Sequence, residues 1–394
     1  MKNLRIAYFI LILLIVSLFS GCGQNNQASP PSPTGASPPS PAGDSPSILS
    51  RAPRPSPPPE PSTSESNYAI VKTFFATDRN LTGKSKPNEI FGANRSNITY
   101  GTCDVSIPRD HRMGELESPS IMRLEFREDP NKHVVVLKTT IILDKNDFFA
   151  NIAQFVHNSR QKNAFLFVHG YNVTFEDAAK RTAQIAYDLG FEGAPVFYSW
   201  PSQGKTPAYT VDEQNIEWAQ THLRNFLDDF FIHSDAQNIY LIAHSMGNRA
   251  LTRAITSLLN EKPDFRSRLK EIILAAPDID ADVFKRDIAP ALTATDQFIT
   301  LYASSQDLAL TASKKVHGYP RAGDSGQGLV VVPGIETIDA TNVNTDFIGH
   351  SYFADATSVL SDMFYLIHDD QRASQRFGIR PVDTPIGRYW EFKK

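Results

Sequence analysis

The spacing of apolar positions changes several times along the chain, and each change marks an element. Between residues 68 and 142 short apolar-rich segments are separated by turn-rich ones. Ile70–Ala76, Thr99–Ile107, Ile121–Arg127 and Val134–Ile142 read as strands, parted by stretches rich in Gly, Asn and Pro. No helical spacing intervenes, so these segments predict antiparallel strands at one edge of a sheet. A helical repeat follows. Phe148, Ile152, Phe155 and Val156 fall on one helical face, with Asp144 or Asn146 near the start.

From residue 164 onward, strands and helices alternate. Ala164–Val168, Pro195–Ser199, Ile239–Ala243, Ile272–Ala276 and Phe298–Ala303 are short, nearly unbroken apolar runs. Phe175–Leu189 and Glu213–Phe231 between them carry helical stripes, the second through Ile216, Ala219, Leu223, Phe226, Leu227 and Phe230. Only a short helical insert separates Ile272 from Phe298. A β-rich stretch, Leu329–Ala340, precedes a last helix marked by Val359, Leu360, Met363, Phe364 and Ile367. Continuous apolar strands alternating with helices predict a parallel sheet covered on both faces. Residues 372–394 show no clear period and read as an irregular tail.

One junction in this alternation carries chemistry. In Asn238–Leu251 the apolar run Ile239–Ala243 leads into His244-Ser245-Met246-Gly247, and a helical pattern follows at once. A strand, a sharp turn and a helix with serine at the apex form a nucleophile elbow. Such a turn crowds the backbone, and Ala243 and Gly247 are the small residues that flank it. A serine there could simply cap the helix, but the small flanks and the preceding His favour Ser245 as a nucleophile. It then needs a base, an orienting acid and oxyanion donors.

In elbow folds these follow in the order serine, acid, histidine. His350, late in the chain and just before the last helix, is the expected base; His317 and His368 compete, the first in a loop, the second in or at the end of a helix. Asp307, after the strand Phe298–Ala303, is the preferred acid, with Asp278 in Ala275-Ala276-Pro277-Asp278-Ile279-Asp280 as the alternative. Asp278, Asp280 and Asp282 are better explained by helix capping than by a metal. The backbone N–H groups of Met246, at the N-terminus of the elbow helix, and of Tyr171, in the loop His169-Gly170-Tyr171-Asn172, are the expected oxyanion donors. His169 reads as a buttress of that loop. Trp200 and Tyr171, at strand ends, are expected to line an apolar pocket; Tyr198 fits the core equally well. Gly323-Asp324-Ser325-Gly326 matches the nucleophile signature of trypsin-like proteases, but nothing else of that family is readable, so it reads as a loop.

Composition narrows the class. The 394 residues carry a net charge of −4, with no basic excess for nucleic acid and no acidic tail. No phosphate loop, zinc spacing or dinucleotide fingerprint is present, so no cofactor or metal is expected. The two cysteines, Cys22 and Cys103, predict no disulfide; Cys103 lies in a strand and reads as a buried, inert thiol. Residues 23–66 hold about half of the 27 prolines, with Ser, Ala, Gly and Asn, and lack apolar periodicity. They predict a disordered, semi-extended tether; a ligand for proline-recognition modules is the rival reading.

Two resemblances complete the picture. Residues 1–22 resemble a bacterial lipoprotein signal peptide: Lys2 and Arg5, the apolar run Ile6–Phe19, then Ser20-Gly21-Cys22. The resemblance implies cleavage before Cys22 and lipidation of its sulfur; Phe19 stands where that family usually has Leu. The apolar run is short for a bilayer span of about 20 residues, although an uncleaved helix or an ordinary secreted protein remain the alternatives. Gly23 is not the aspartate that retains enteric lipoproteins at the inner membrane, so the expectation leans to the outer membrane, facing the periplasm. Residues 70–370 resemble the α/β-hydrolase superfamily and, more narrowly, a bacterial esterase/lipase-like family of unknown function (DUF900). The matching segments are FFATDR at 74–79, YGTCDVSIP at 100–108, FVHGYN at 167–172, YSWPSQG at 198–204, AHSMGNR at 243–249, AAPDID at 275–280 and LYASSQDLAL at 301–310. Ala243 departs from the superfamily's commoner glycine. The resemblance implies an α/β-hydrolase fold with a mostly parallel sheet, helices on both faces and an antiparallel N-terminal edge, over residues 67–371. It implies a serine hydrolase and leaves the substrate open. A carboxylic-ester hydrolase acting through an acyl-enzyme on a modest acyl ester at the cell envelope is the leading expectation. A peptidase or amidase, and a catalytically silent binding protein on the same fold, are the rivals. The oligomeric state is not readable.

Overall fold

The computed structural model describes residues 66–120, 125–305, 308–341, 343 and 356–393. All of these lie within the compact unit Thr63–Lys394. The expected signal peptide, Cys22 and the tether up to residue 65 therefore lie outside the described residues, as do Asp307 and His350.

Eleven strands form one sheet: β1 (Tyr68–Leu81), β2 (Phe91–Pro108), β3 (Val135–Ile142), β4 (Asn163–Val168), β5 (Gly193–Ser199), β6 (Asn238–His244), β7 (Leu269–Ala275), β8 (Ile299–Ala303), β9 (Glu336–Asp339), β10 (Ile379–Thr384) and β11 (Gly387–Phe392). Their spatial order is β10-β11-β9-β8-β7-β6-β4-β5-β1-β2-β3. From β1 across to β11 every pairing is parallel. Antiparallel pairing is confined to the two ends, at β1–β2–β3 and β10–β11. The α/β architecture with an antiparallel N-terminal edge is thus as expected.

The central strands follow from their composition. Every residue of β4 (NAFLFV) and β5 (GAPVFYS) is buried. A strand with no polar face needs cover on both sides, which parallel strands joined by crossover helices provide. Those helices are α1 (Lys145–His157), α2 (Phe175–Asp188), α3 (Tyr209–His233), α4 (Gly247–Glu261), α5 (Leu308–His317) and α6 (Ala356–His368). Asp144 caps α1 by accepting from the N–H groups of Asn146 and Asp147. Thr174 and Asp177 form a reciprocal capping box on α2. One apolar cluster packs α1, α3 and α4 against one face of the sheet; the other joins α2 and α6 on the opposite face. Cys103 is fully buried in β2, and burial pushes its thiol up to about 12, beyond any nucleophilic use near neutral pH.

Three expectations change. Residues 121–124 of the expected strand Ile121–Arg127 lie outside the described residues, and 125–127 are not in a strand. Of Leu329–Ala340 only Glu336–Asp339 is a strand. Residues 372–394 are no irregular tail: they supply the β10–β11 hairpin, and β11 extends the sheet beside β9. β10 is an edge strand, so only its first residue is buried, and Pro381 removes a donor where the outer strand tolerates it. An edge strand with one wet side carries little alternation for a sequence reading to detect.

Candidate active site

Strand order decides where the chemistry converges. β4 sits between β5 and β6, so the chain leaves β4 in one direction and returns on its other side. That reversal opens a crevice at the carboxyl ends of β4 and β6. Val168 of β4 is paired with Ala243 of β6. The next residues, His169-Gly170-Tyr171 and His244-Ser245, therefore emerge side by side.

Ser245 lies just past β6 with φ of +47°. This left-handed conformation costs an L-residue roughly 1–2 kcal/mol and must be enforced by its surroundings. Ser245 N–H donates to Ala275 O at 2.9 Å, and Asp278 N–H donates to Ser245 O at 3.1 Å. The buried Asn248 side chain donates to both Ser245 O (2.9 Å) and Ala275 O (3.2 Å). The sequence reading missed this bracket, although Asn248 lies within the AHSMGNR segment. Met246 is the N-cap of α4, which places its N–H at the positive end of that helix. The glycine at 247 is a matter of space: a Cβ there would sit 2.4 Å from His169 O and 2.7 Å from Val168 O. Ser245 is itself only 2% exposed.

The loop after β4 presses on the serine. A Cβ on Gly170 would fall 2.9 Å from the Ser245 Cβ and 2.8 Å from His244 Nδ1. Asn172, with φ of +60°, turns the chain away, and its N–H donates to Asp212 of α3 at 3.3 Å. Two imidazoles flank this contact, and both are neutral. Burial holds His169 well below its ordinary range, with the Arg79 charge adding to the effect. Burial, aided by Arg181, brings His244 down to about 3. Neither His169 nor His244 has a carboxylate partner among the described residues, so neither is arranged as the cationic member of a triad.

Trp200 faces inward among the described residues, where it was expected at a pocket wall. It is fully buried, its ring stacks on His169 with centroids 5.0 Å apart, and its Nε1–H donates to His169 O at 2.8 Å. A buried indole usually finds an acceptor for its N–H, and here the His169 carbonyl supplies it. Tyr198 is likewise buried and donates to Asp78 at 2.8 Å. Tyr171 stays partly exposed, edge-on to Tyr209 at 5.1 Å, and Tyr209 in turn meets His317 at 5.6 Å.

Asp278 is 1% exposed and fully engaged by groups other than a histidine. One carboxylate oxygen accepts from Ser313 Oγ (2.6 Å) and Arg321 Nε (2.8 Å); the other accepts from the Tyr209 hydroxyl and, at 3.3 Å, from Arg249. Burial alone would raise its pKa, but the two guanidiniums hold it below the ordinary carboxylate range. This geometry makes Asp278 an anchor of the elbow, with no histidine among its described hydrogen-bond partners. His317 bonds Glu213 at 2.8 Å and the Ser313 carbonyl at 2.9 Å, and His368 bonds Leu189 O. Asp280 caps the following helical turn through the N–H groups of Asp282 and Val283. The Gly323–Gly326 loop packs on Ala276 and Pro277, with Asp324 tied to Lys314 and the Arg321 N–H.

Among solved structures, the chain is similar to a predicted CIB-like hydrolase from Thermoplasma acidophilum (12% identity, 70% of this chain and 88% of that one, TM-score 0.27). It is also similar to a putative cell surface hydrolase from Lactobacillus plantarum (13%, 53% and 92%, TM-score 0.31) and to Aspergillus fumigatus lipase B (14%, 51% and 50%, TM-score 0.28). Scores that low carry no weight for the reaction. No protein of curated function matches. The sequence profile of one family matches residues 144–368, more than half of the chain and the whole stretch from α1 through α6. The protein belongs to that family, described as alpha/beta hydrolase of unknown function (DUF900).

Proposed function

We propose that the protein is a serine hydrolase cleaving carboxylic esters through an acyl-enzyme. Ser245 is the nucleophile, His350 the base that takes its proton and later delivers it to the leaving group, and Asp307 the acid that orients the imidazole. The N–H groups of Met246 and Tyr171 receive the oxyanion, each worth about 3 kcal/mol of barrier, and the Tyr171 ring borders the acyl group. The observation that carries this reading is the strained Ser245, wedged against Gly170 at the strand-order reversal. Backbone strain at a bracketed serine beside a helix N-terminus is of little use to a merely structural turn.

The test is labelling of the full chain with a fluorophosphonate, alongside turnover of p-nitrophenyl esters of rising chain length. Labelling and turnover should both vanish in Ser245→Ala. Asp307→Asn should lower kcat by about a thousandfold or more, whereas Asp278→Asn should act mainly on stability. Equal small losses from the two would refute the acid assignment. A matched anilide panel separates esterase from amidase.

One observation favours a second reading. The Ser245 side chain is nearly withdrawn from solvent, as a silent binding protein would tolerate. A folded protein that takes up no probe would favour that alternative. We further propose a lipid anchor on Cys22 that holds the domain at the bacterial envelope, in the outer membrane and facing the periplasm.

A further inference from the structure

The segment FFATDR ends in a residue for which the catalytic reading has no use. Arg79, near the end of β1, is 2% exposed, and burial brings its guanidinium down to about 10. Its hydrogen-bond acceptors are neutral: Ser199 Oγ at 2.8 Å, and the carbonyls of Ser202 (2.8 Å), Val173 (2.7 Å) and Gly92 (3.3 Å). A charge buried on such partners is costly; two of the four acceptors, Val173 and Ser202, lie in the segments that follow β4 and β5, and a third, Ser199, ends β5.

The bond to Ser199 continues inward. Arg79 Nε–H donates to Ser199 Oγ, so the serine hydroxyl is free to donate to His169 Nε2, 3.3 Å away. His169 is neutral, so with Nε2 accepting, Nδ1 must carry the proton; it donates to Gly170 O at 2.8 Å. The Trp200 ring stacked beneath keeps the imidazole in plane. Gly170 O is therefore pulled toward His169. A trans peptide is planar, with its C=O and N–H pointing in opposite directions. Fixing Gly170 O thus fixes the direction of the Tyr171 N–H. Past it, Asn172 N–H is held by Asp212, Val173 O by Arg79, and Val173 N–H by Ser202 Oγ.

We propose that Arg79 is a positioning residue for the hydrolase: acting through Ser199 and His169, it holds the Gly170–Tyr171 peptide plane with the Tyr171 N–H turned from His169 toward the oxygen that forms above Ser245. This rests on the hydrolase reading above. It assigns the N-terminal edge, which lies outside the 144–368 match, a part in the reaction.

The test compares the full chain with Ser199→Ala, Arg79→Lys, His169→Asn and His169→Gln, by kcat, KM and thermal midpoint on a p-nitrophenyl ester. Ser199→Ala cuts the relay and leaves the carbonyl contacts of Arg79 intact, so it answers the question even where Arg79→Lys fails to fold. Ser199→Ala should lower kcat about tenfold to a hundredfold, less than the full loss of an oxyanion donor, with KM within about threefold and the thermal midpoint little changed. Both His169 variants lose the Nε2 link to Ser199; His169→Asn keeps an amide N–H in the place of Nδ1 and should lose no more rate than Ser199→Ala, whereas His169→Gln, one carbon longer, should lose more. A Ser199→Ala enzyme with the wild-type kcat overturns the relay. So does loss of rate only in step with loss of stability, with His169→Asn no better than His169→Gln. A wild-type chain that neither turns over esters nor labels at Ser245 instead refutes the hydrolase reading, and the relay falls with it.

Discussion

Single residues at this site are fixed by backbone demands as much as by their chemistry. Ser245 occupies the left-handed region and is held there by Asn248, Ala275 and Asp278. Glycine adopts that conformation without the Cβ penalty. Ser245→Gly should therefore raise unfolding stability by about 1 kcal/mol while abolishing hydrolysis; a urea titration showing destabilisation would contradict the strain argument. A second prediction concerns His111, whose ring lies between Glu117 (2.8 Å) and Asp188 (2.8 Å). Burial works against its charge, but the two carboxylates prevail and raise its pKa from 6.5 to about 9. A raised folded-state value means the contribution is complete below about pH 6.5 and lost as pH climbs through about 9. It amounts to about 3 kcal/mol. Denaturant midpoints of the wild type should fall across that window, and those of His111→Gln should be lower and flatter; parallel curves would disprove the linkage. The elbow serine was legible because small flanks, strand and helix sit within a dozen residues. His111 was not, since its partner Asp188 is distant in sequence and comes from α2.

Elements repeat that contrast. β4, β5, β6, α2 and α3 were readable because their burial is periodic and complete. The C-terminal hairpin was not, although the chain leading into it is tied firmly to the sheet. Arg376 has a fully buried side chain; it pairs with Asp362 of α6 (2.7 Å) and Glu336 of β9 (2.7 Å), while Tyr302 of β8 donates to the same Asp362 (2.6 Å). Arg372 pairs with Glu271 of β7 at 2.8 Å. Breaking a buried pair strands its partner, so Arg376→Met should cost about 3–5 kcal/mol. Adding Asp362→Leu removes the stranded carboxylate and should recover part of that loss. If the double variant is no more stable than Arg376→Met, the pair is not what joins these elements.

At the scale of the whole molecule the described residues all fall within one compact unit, Thr63–Lys394. Deleting residues 23–66 should leave ester turnover per molecule unchanged, and Cys22→Ser should shift the protein from the membrane fraction to the soluble one. Retention of Cys22→Ser on membranes would rule out the lipid anchor. The sequence by itself determined the alternation of strands and helices, the parallel character of the central sheet and the elbow, because each is written in burial patterns spanning a few neighbouring residues. It could not determine that Trp200 packs against His169, that Asp278 is spent on two arginines, or that β1 sends Arg79 to the loop beside the nucleophile. Those outcomes depend on strand order, which brings residues 79, 169, 199 and 245 to one end of the sheet. Strand order is settled by how whole layers bury one another, and no local stretch of chain encodes it.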